Sequence, residues 1–208
     1  MPTLFLVRHG ETAHNRASRY SGQAETALTG RGLEQHARLR ERLAGEDIGR
    51  VASSDLGRCL TLAVAVASDH GLVAEPYAGL REAAFGDWEG LTYEEALARN
   101  PAAMAAFNRD PLSVAPPGGE SLAALGRRAR PLLDRLVREH EGRVGALLVV
   151  SHGGLLRALL CHLLRVPPDR YWTLRVDPAA LTVLDTYPAG AILAVLNDTC
   201  HLRGLSRC

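Results

Sequence analysis

Leu4-Phe5-Leu6-Val7-Arg8-His9-Gly10-Glu11-Thr12 sets four apolar residues directly against an arginine and a histidine, with no spacer. The unbroken apolar run reads as a buried central strand, and Arg8 marks its carboxyl end. In open α/β sheets ligands bind outside that edge. Arginine offers a planar fork to phosphate or carboxylate, the next imidazole can act as a nucleophile, and Gly10 lets backbone approach a ligand closely.

A second stretch repeats the device. Ala146 to Val150 is the most apolar strand, and it ends in Ser151-His152-Gly153-Gly154. Neighbouring parallel strands lie about 4.8 Å apart, so the two imidazoles can meet at one ligand. A third strand, Arg50 to Ser53, runs into Ser54-Asp55 and then a helix carrying Arg58 in its first turn. The amino end of that helix adds partial positive charge and amide donors. Two arginines, two histidines and a helix terminus make a site for a dianion.

Composition narrows the chemistry. The chain has 208 residues, 47% of them hydrophobic, which suffices for one domain with a packed core. A net charge of +1 gives no electrostatic reason to expect nucleic acid or a membrane surface as partner. All 24 basic residues are arginine, and lysine is absent. That rules out a Gly-Lys-Ser/Thr phosphate loop and any Schiff-base lysine. The chain starts in a strand at Thr3, so no secretory signal is expected, and no apolar stretch is long enough to span a bilayer. Cys59, Cys161, Cys200 and Cys208 form no Cys-x-x-Cys pair, and the neighbouring His162 and His201 match no zinc spacing. A reduced, cytoplasmic chain without metal or cofactor is expected.

Strand and helix patterns alternate, which predicts an α/β fold. The expected architecture is a three-layer sandwich, a mostly parallel sheet with helices on both faces and a lid-like insertion, in a single domain over 1–208. Leu33, Ala37, Arg40 and Leu43 fall on one helical stripe that ends at Gly45. Ser54 or Asp55 is the expected cap of the next helix, which runs through Leu60 and Ala67 to a stop at Gly71. Leu72 to Tyr77 reads as a strand. The segment 79–119 concentrates Trp, Phe, Gly and Pro, and Thr92-Tyr93-Glu94-Glu95 is a capping box within it. Trp88, Phe85 and Tyr93 are expected as its core. A long helix follows from Ser121 to His140, then one from Leu155 to Leu164. Two strands flank Pro188-Ala189-Gly190 as a hairpin.

Five motifs in order resemble the histidine phosphatase superfamily, the phosphoglycerate mutase-like group, in its phosphatase branch. They are Leu6-Val7-Arg8-His9-Gly10-Glu11-Thr12 with Asn15, Ser53-Ser54-Asp55-Leu56-Gly57-Arg58, Leu80-Arg81-Glu82 ahead of Phe85 to Gly90, Pro117-Gly118-Gly119-Glu120-Ser121, and Ser151-His152-Gly153-Gly154. The resemblance implies that His9 becomes phosphohistidine, that Arg8, Arg58 and His152 surround the phosphoryl oxygens, and that Glu82 is the proton donor. Phosphoryl transfer needs positioning and charge stabilisation, which fixed cations supply. A nucleophilic imidazole must be neutral, and adjacent arginines disfavour its protonation. Asp87 is the rival acid. Asn15 and Gln23 are candidate donors to phosphate or leaving group. His14, His36, His70, His140 and His162 read as surface or helix residues.

Two departures bear on substrate. The family's Gln-Thr-Ala after the arginine becomes Leu60-Thr61-Leu62-Ala63, and its acidic-Pro-Leu-Thr becomes Glu25-Thr26-Ala27-Leu28-Thr29. The resemblance is closest to the broad-specificity and α-ribazole phosphatases, and implies metal-independent hydrolysis of a small phosphomonoester. The alternatives are a phosphoglycerate mutase using the same site and a non-catalytic phosphate-binding scaffold. The partner is then a small molecule, with monomer and homodimer both open.

Overall fold

A computed structural model describes residues 2–188 and 190–205. Cys208, and Ala189 of the expected hairpin, lie outside the described residues. In chain order the elements are β1 (Thr3–Arg8), α1 (Ala13–Arg16), α2 (Gly30–Leu43), β2 (Ile48–Ser54), α3 (Gly57–Asp69) and β3 (Ala74–Tyr77). There follow α4 (Tyr93–Arg99), α5 (Pro101–Arg109), α6 (Leu122–His140), β4 (Ala146–Ser151), α7 (Gly153–Leu163), β5 (Leu181–Tyr187) and β6 (Gly190–Asp198).

The sheet order is β3-β2-β4-β1-β5-β6. The first four strands are mutually parallel, and β5 and β6 add an antiparallel pair beside β1. Alternation along the central strands divides the core in two. Leu4, Leu6, Leu147 and Val149 face Leu125, Leu133 and Leu136 of α6 and Leu155 and Leu159 of α7. Phe5, Val7, Leu148 and Val150 face Leu39 and Leu43 of α2 and Cys59, Leu62 and Val66 of α3. The three-layer α/β architecture is therefore as the alternation predicts. Arg8 continues the parity of Leu4 and Leu6, which turns its side chain toward α7.

The insertion has a small core of its own. Trp88, Ala96 and Met104 are buried together, with Tyr20, Phe85, Leu91 and Phe107 packed against them. Thr92 and Glu95 form the reciprocal capping box at the start of α4. Tyr93 is not part of this core: it is 42% exposed, and its hydroxyl accepts from Asn108 Nδ2 at 2.9 Å.

Three local expectations are corrected. The buried face of α2 is Gly32, Gln35, His36, Leu39 and Leu43, whereas Leu33, Ala37 and Arg40 are exposed. Arg40 instead meets Asp69 of α3 in a two-bonded pair. The cap of α3 is Leu56, which offers no side-chain acceptor, and Ser54 Oγ only approaches the Leu56 amide at 3.4 Å. α2 ends at Ala44 in helical conformation, so Gly45 is not its left-handed stop.

The burial of α2 has a direct consequence. Leu39→Ala should cost about 2–5 kcal/mol in urea unfolding, and Leu33→Ala less than about 0.5 kcal/mol. Equal costs would contradict this orientation of the helix.

Candidate active site

The carboxyl ends of β1, β2 and β4 converge, and the residues just beyond them form the site. His9 is 3% exposed, Arg58 2%, His152 1% and Glu82 7%. The backbone turns sharply after β1. The His9 amide donates to the Ser151 carbonyl at 3.0 Å, which ties the two histidine-bearing strand ends together. The rings of His9 and His152 then lie edge to face, with centroids 5.1 Å apart.

His9 Nδ1 sits 2.7 Å from the Gly10 carbonyl. A carbonyl only accepts, so Nδ1 carries the hydrogen and Nε2 keeps its lone pair. Burial pushes the His9 pKa well below the usual 6.5, and Arg8 and Arg58 push the same way. His152 is neutral for the same main reason, with His9, Arg58 and Arg8 adding to it. Its Nδ1 accepts from Arg58 Nε at 3.3 Å, so Nε2 is the protonated nitrogen and donates to Ser54 Oγ at 2.9 Å.

Both arginines are steered by backbone carbonyls. Arg8 Nη1 donates to the Val176 carbonyl at 2.7 Å, and Arg58 donates to the carbonyls of Ala24 at 2.8 Å and Gly22 at 2.5 Å. Carbonyls orient a guanidinium without neutralising it. Arg8 Nε is buried with no hydrogen-bond partner among the described residues. Gly153 packs close beside Arg8: a Cβ there would stand 3.2 Å from the guanidinium carbon, which would have to give by a few tenths of an ångström. Burial lowers the pKa of Arg8, and the nearby Glu82 carboxyl opposes that shift.

Glu82 is locked onto the start of α7. Its Oε2 accepts from the Gly154 amide at 2.7 Å, and its Oε1 from Leu155 at 3.0 Å and Ala83 at 2.9 Å. A Cβ on Gly154 would fall 2.4 Å from Glu82 Oε1 and 2.8 Å from the Tyr171 hydroxyl, so that glycine makes room for the carboxyl. From α6, Arg128 donates to the carbonyls of Gly79, Arg81 and Glu82 and pairs with Glu120. Glu120 in turn accepts from the Ala84 amide at 3.0 Å. Arg81 makes a two-bonded pair with Asp55 beyond β2.

The structure therefore brings Arg8, His9, Arg58, Glu82 and His152 to one sheet edge. Gln23 lies on the Glu82 side, its Nε2 donating to the Glu82 carbonyl at 3.3 Å. Asn15 is committed through Oδ1 to the Thr12 amide in the capping box of α1. Asp87, the rival acid, is exposed, whereas Glu82 is buried. The expected amide donor at the start of α3 is occupied, since the Gly57 N–H points at the Glu25 carboxylate. Residues that pattern reading passed over are His36, Gln35, Arg128 and Glu89. Glu89 binds the amides of Gly22, Gln23 and Phe85, joining the insertion to the loop that carries the Arg58 acceptors.

Comparison with known proteins identifies the family of this chain. The family model for the histidine phosphatase superfamily (branch 1) matches residues 4–199, and the chain belongs to that superfamily. It is thereby a phosphoric monoester hydrolase. Adenosylcobalamin/alpha-ribazole phosphatase of Escherichia coli is 35% identical over 94% of this chain and 95% of its own length. Glucosyl-3-phosphoglycerate phosphatase of Mycolicibacterium vanbaalenii is 39% identical over 81% and 76% respectively. The crystal structure of the alpha-ribazole phosphatase from Shigella flexneri superposes with a TM-score of 0.87 at 33% identity, covering 94% of this chain and 96% of the other.

Three buried neutral histidines make stability depend on pH. His9 and His152 have folded pKa values well below 6.5, and burial takes His36 to about 4. Below pH 6.5 the unfolded chain binds protons that the folded chain refuses. Stability should therefore be full above that pH and fall toward pH 4, by up to about 1.4 kcal/mol per pH unit for each ring. Urea unfolding at pH 7.5, 6 and 5 measures the slope, and a flat profile would mean that these rings ionise in the folded protein.

Proposed function

We propose that this protein hydrolyses a small phosphomonoester through a phosphohistidine formed on His9. The observation that carries the reading is the His9 Nδ1 contact with the Gly10 carbonyl, which leaves Nε2 as a neutral nucleophile beside two carbonyl-steered arginines. Nε2 attacks phosphorus, the bond to the leaving oxygen breaks, and Glu82 supplies its proton to that oxygen. Water then attacks phosphorus, the P–N bond breaks, and the Glu82 carboxylate takes the water's proton. Arg8 and Arg58 stabilise the charge on the phosphoryl oxygens through both steps, as preorganised cations in a dry site do. His152 borders the same phosphoryl group, and its Nδ1 contact with Arg58 Nε orients that guanidinium. Gln23 borders the leaving group, and Asn15 offers its amide nitrogen to the phosphate.

Identity over nearly the whole chain favours α-ribazole 5'-phosphate as substrate: the relatives named for that activity are 34% to 35% identical over 94% of it, against 31% over 97% for a phosphoserine phosphatase. The carboxylate-bearing phosphates in the names of other relatives are the comparison arms of a substrate panel. The reading treats 1–208 as one domain, which the family match over 4–199 supports. It also places the enzyme in the cytoplasm, with Cys59 and Cys161 as buried free thiols.

His9→Ala should abolish phosphate release and the acid-labile phosphoenzyme while keeping the fold, assayed with a chelator present throughout. Substantial turnover by the folded variant would remove His9 as nucleophile. Glu82→Gln keeps the shape of the side chain but cannot give up a proton. Alkyl phosphates should lose most of their rate of His9 phosphorylation, whereas an aryl phosphate with a good leaving group should still phosphorylate His9. Dephosphorylation lacks its base, so phospho-His9 should accumulate in quenched samples. Equal slowing of both esters with no phosphoenzyme would remove Glu82 as the acid.

A further inference from the structure

Two buried polar side chains take no part in the chemistry above. Gln35 and His36, consecutive on α2, are 3% and 8% exposed. Each accepts one hydrogen bond from the loop that carries His9. The Gly10 amide donates to His36 Nε2 at 2.8 Å, and the Glu11 amide donates to Gln35 Oε1 at 2.7 Å. These amides belong to successive peptide units. The unit joining Gly10 to Glu11 also owns the carbonyl that meets His9 Nδ1. One planar amide therefore has its N–H on Gln35 and its C=O on the ring of His9. An acceptor on the N–H side polarises the amide and strengthens its carbonyl as an acceptor.

The packing leaves this loop little freedom. A Cβ on Gly10 would lie 2.5 Å from the Gly32 carbonyl and 2.9 Å from His36 Cδ2, so α2 touches the loop directly. Leucine at positions 35 and 36 would satisfy the apolar side of the helix equally well. What leucine cannot supply is an acceptor for either amide.

We propose that Gln35 and His36 are positioning residues that hold His9 in its Nδ1–H tautomer and aim Nε2 at the substrate. The kinetic consequence rests on His9 being the nucleophile, whereas the tautomer consequence does not. Gln35→Leu and His36→Leu remove the acceptors. Gln35→Asn retracts the acceptor by one methylene and is the gentler change should a leucine variant fail to fold. His36→Gln restores an acceptor oxygen.

Two quantities read the result in the full-length protein: the ¹⁵N shifts of the His9 ring, and the single-turnover rate of His9 phosphorylation by an activated aryl phosphate. The wild type should show one Nδ1–H tautomer. The leucine variants, and Gln35→Asn more weakly, should show a tautomer mixture with phosphorylation slowed about ten- to a hundredfold and KM little changed. His36→Gln should recover both readouts. Folded variants with the wild-type tautomer and wild-type rate would overturn the proposal. If the tautomer shifts as expected but no phosphoenzyme forms even in the wild type, the positioning role stands and the nucleophile assignment falls.

Discussion

The hydrogen bond between the His9 ring and the carbonyl of the very next residue constrains more of this structure than one contact would suggest. For Nδ1 of residue 9 to meet the carbonyl of residue 10 at 2.7 Å, the chain must turn sharply as it leaves β1. The turn brings Gly10 against the start of α2, where no side chain fits on either partner. A Cβ on Gly32 would lie 2.0 Å from the Glu11 carbonyl, closer still than the 2.5 Å clash that a Cβ on Gly10 would make with Gly32. The paired glycines, the buried strand and the docked helix are thus one requirement seen from three places. Substituting either glycine would move the loop and with it the imidazole.

Electrostatics at this edge is deliberately unbalanced. Arg8 and Arg58 are anchored by carbonyls of Val176, Gly22 and Ala24, while the one buried carboxyl nearby, Glu82, is occupied by three backbone amides. Anchoring by dipoles fixes direction and leaves positive charge to be met by an incoming dianion. The cost falls on the empty protein, in desolvated arginine and in imidazoles that cannot take up protons. Such a site opposes stability locally and is sustained by the two cores on either side of the sheet. The absence of lysine fits this plan, because a flexible point charge cannot be aimed by two carbonyls as a planar fork can.

The chemistry was legible in the sequence wherever a residue was tied to the end of a periodic strand. His9 and His152 stand directly after apolar runs, and Arg58 stands in the first turn after another, so their convergence follows from parallel pairing. Supporting residues were not legible, because their partners are remote backbone groups. Gln35 and His36 bond amides some 25 positions away in the chain, and counting apolar residues on α2 selects a neighbouring face that shares only Leu43 with the buried one. Leu33, at 59% exposure, was the misleading member of that stripe. Arg128 is hidden in Arg127-Arg128-Ala129-Arg130, where no spacing rule distinguishes the arginine that grips the Glu82 segment. Tyr93 failed for a simpler reason: it sits at the first position of a capped helix, where the cap residue fixes the backbone and leaves the side chain in solvent.

One helix terminus borders both of the groups proposed to carry the reaction. Gly153 packs beside the Arg8 guanidinium, and the Gly154 and Leu155 amides hold the Glu82 carboxyl, so the proposed charge stabiliser and proton donor share the first turn of α7. The insertion is tied to α6 through the Arg128 bonds to the Gly79, Arg81 and Glu82 carbonyls, and to the Gly22–Gln23 loop through Glu89. Its own core of Trp88, Ala96 and Met104 is separate from the two cores that hold the strands. Side chains of that small core can therefore change without repacking the two cores that hold the strands. Relatives named for quite different leaving groups, at 31% to 39% identity, are what such a division of labour allows.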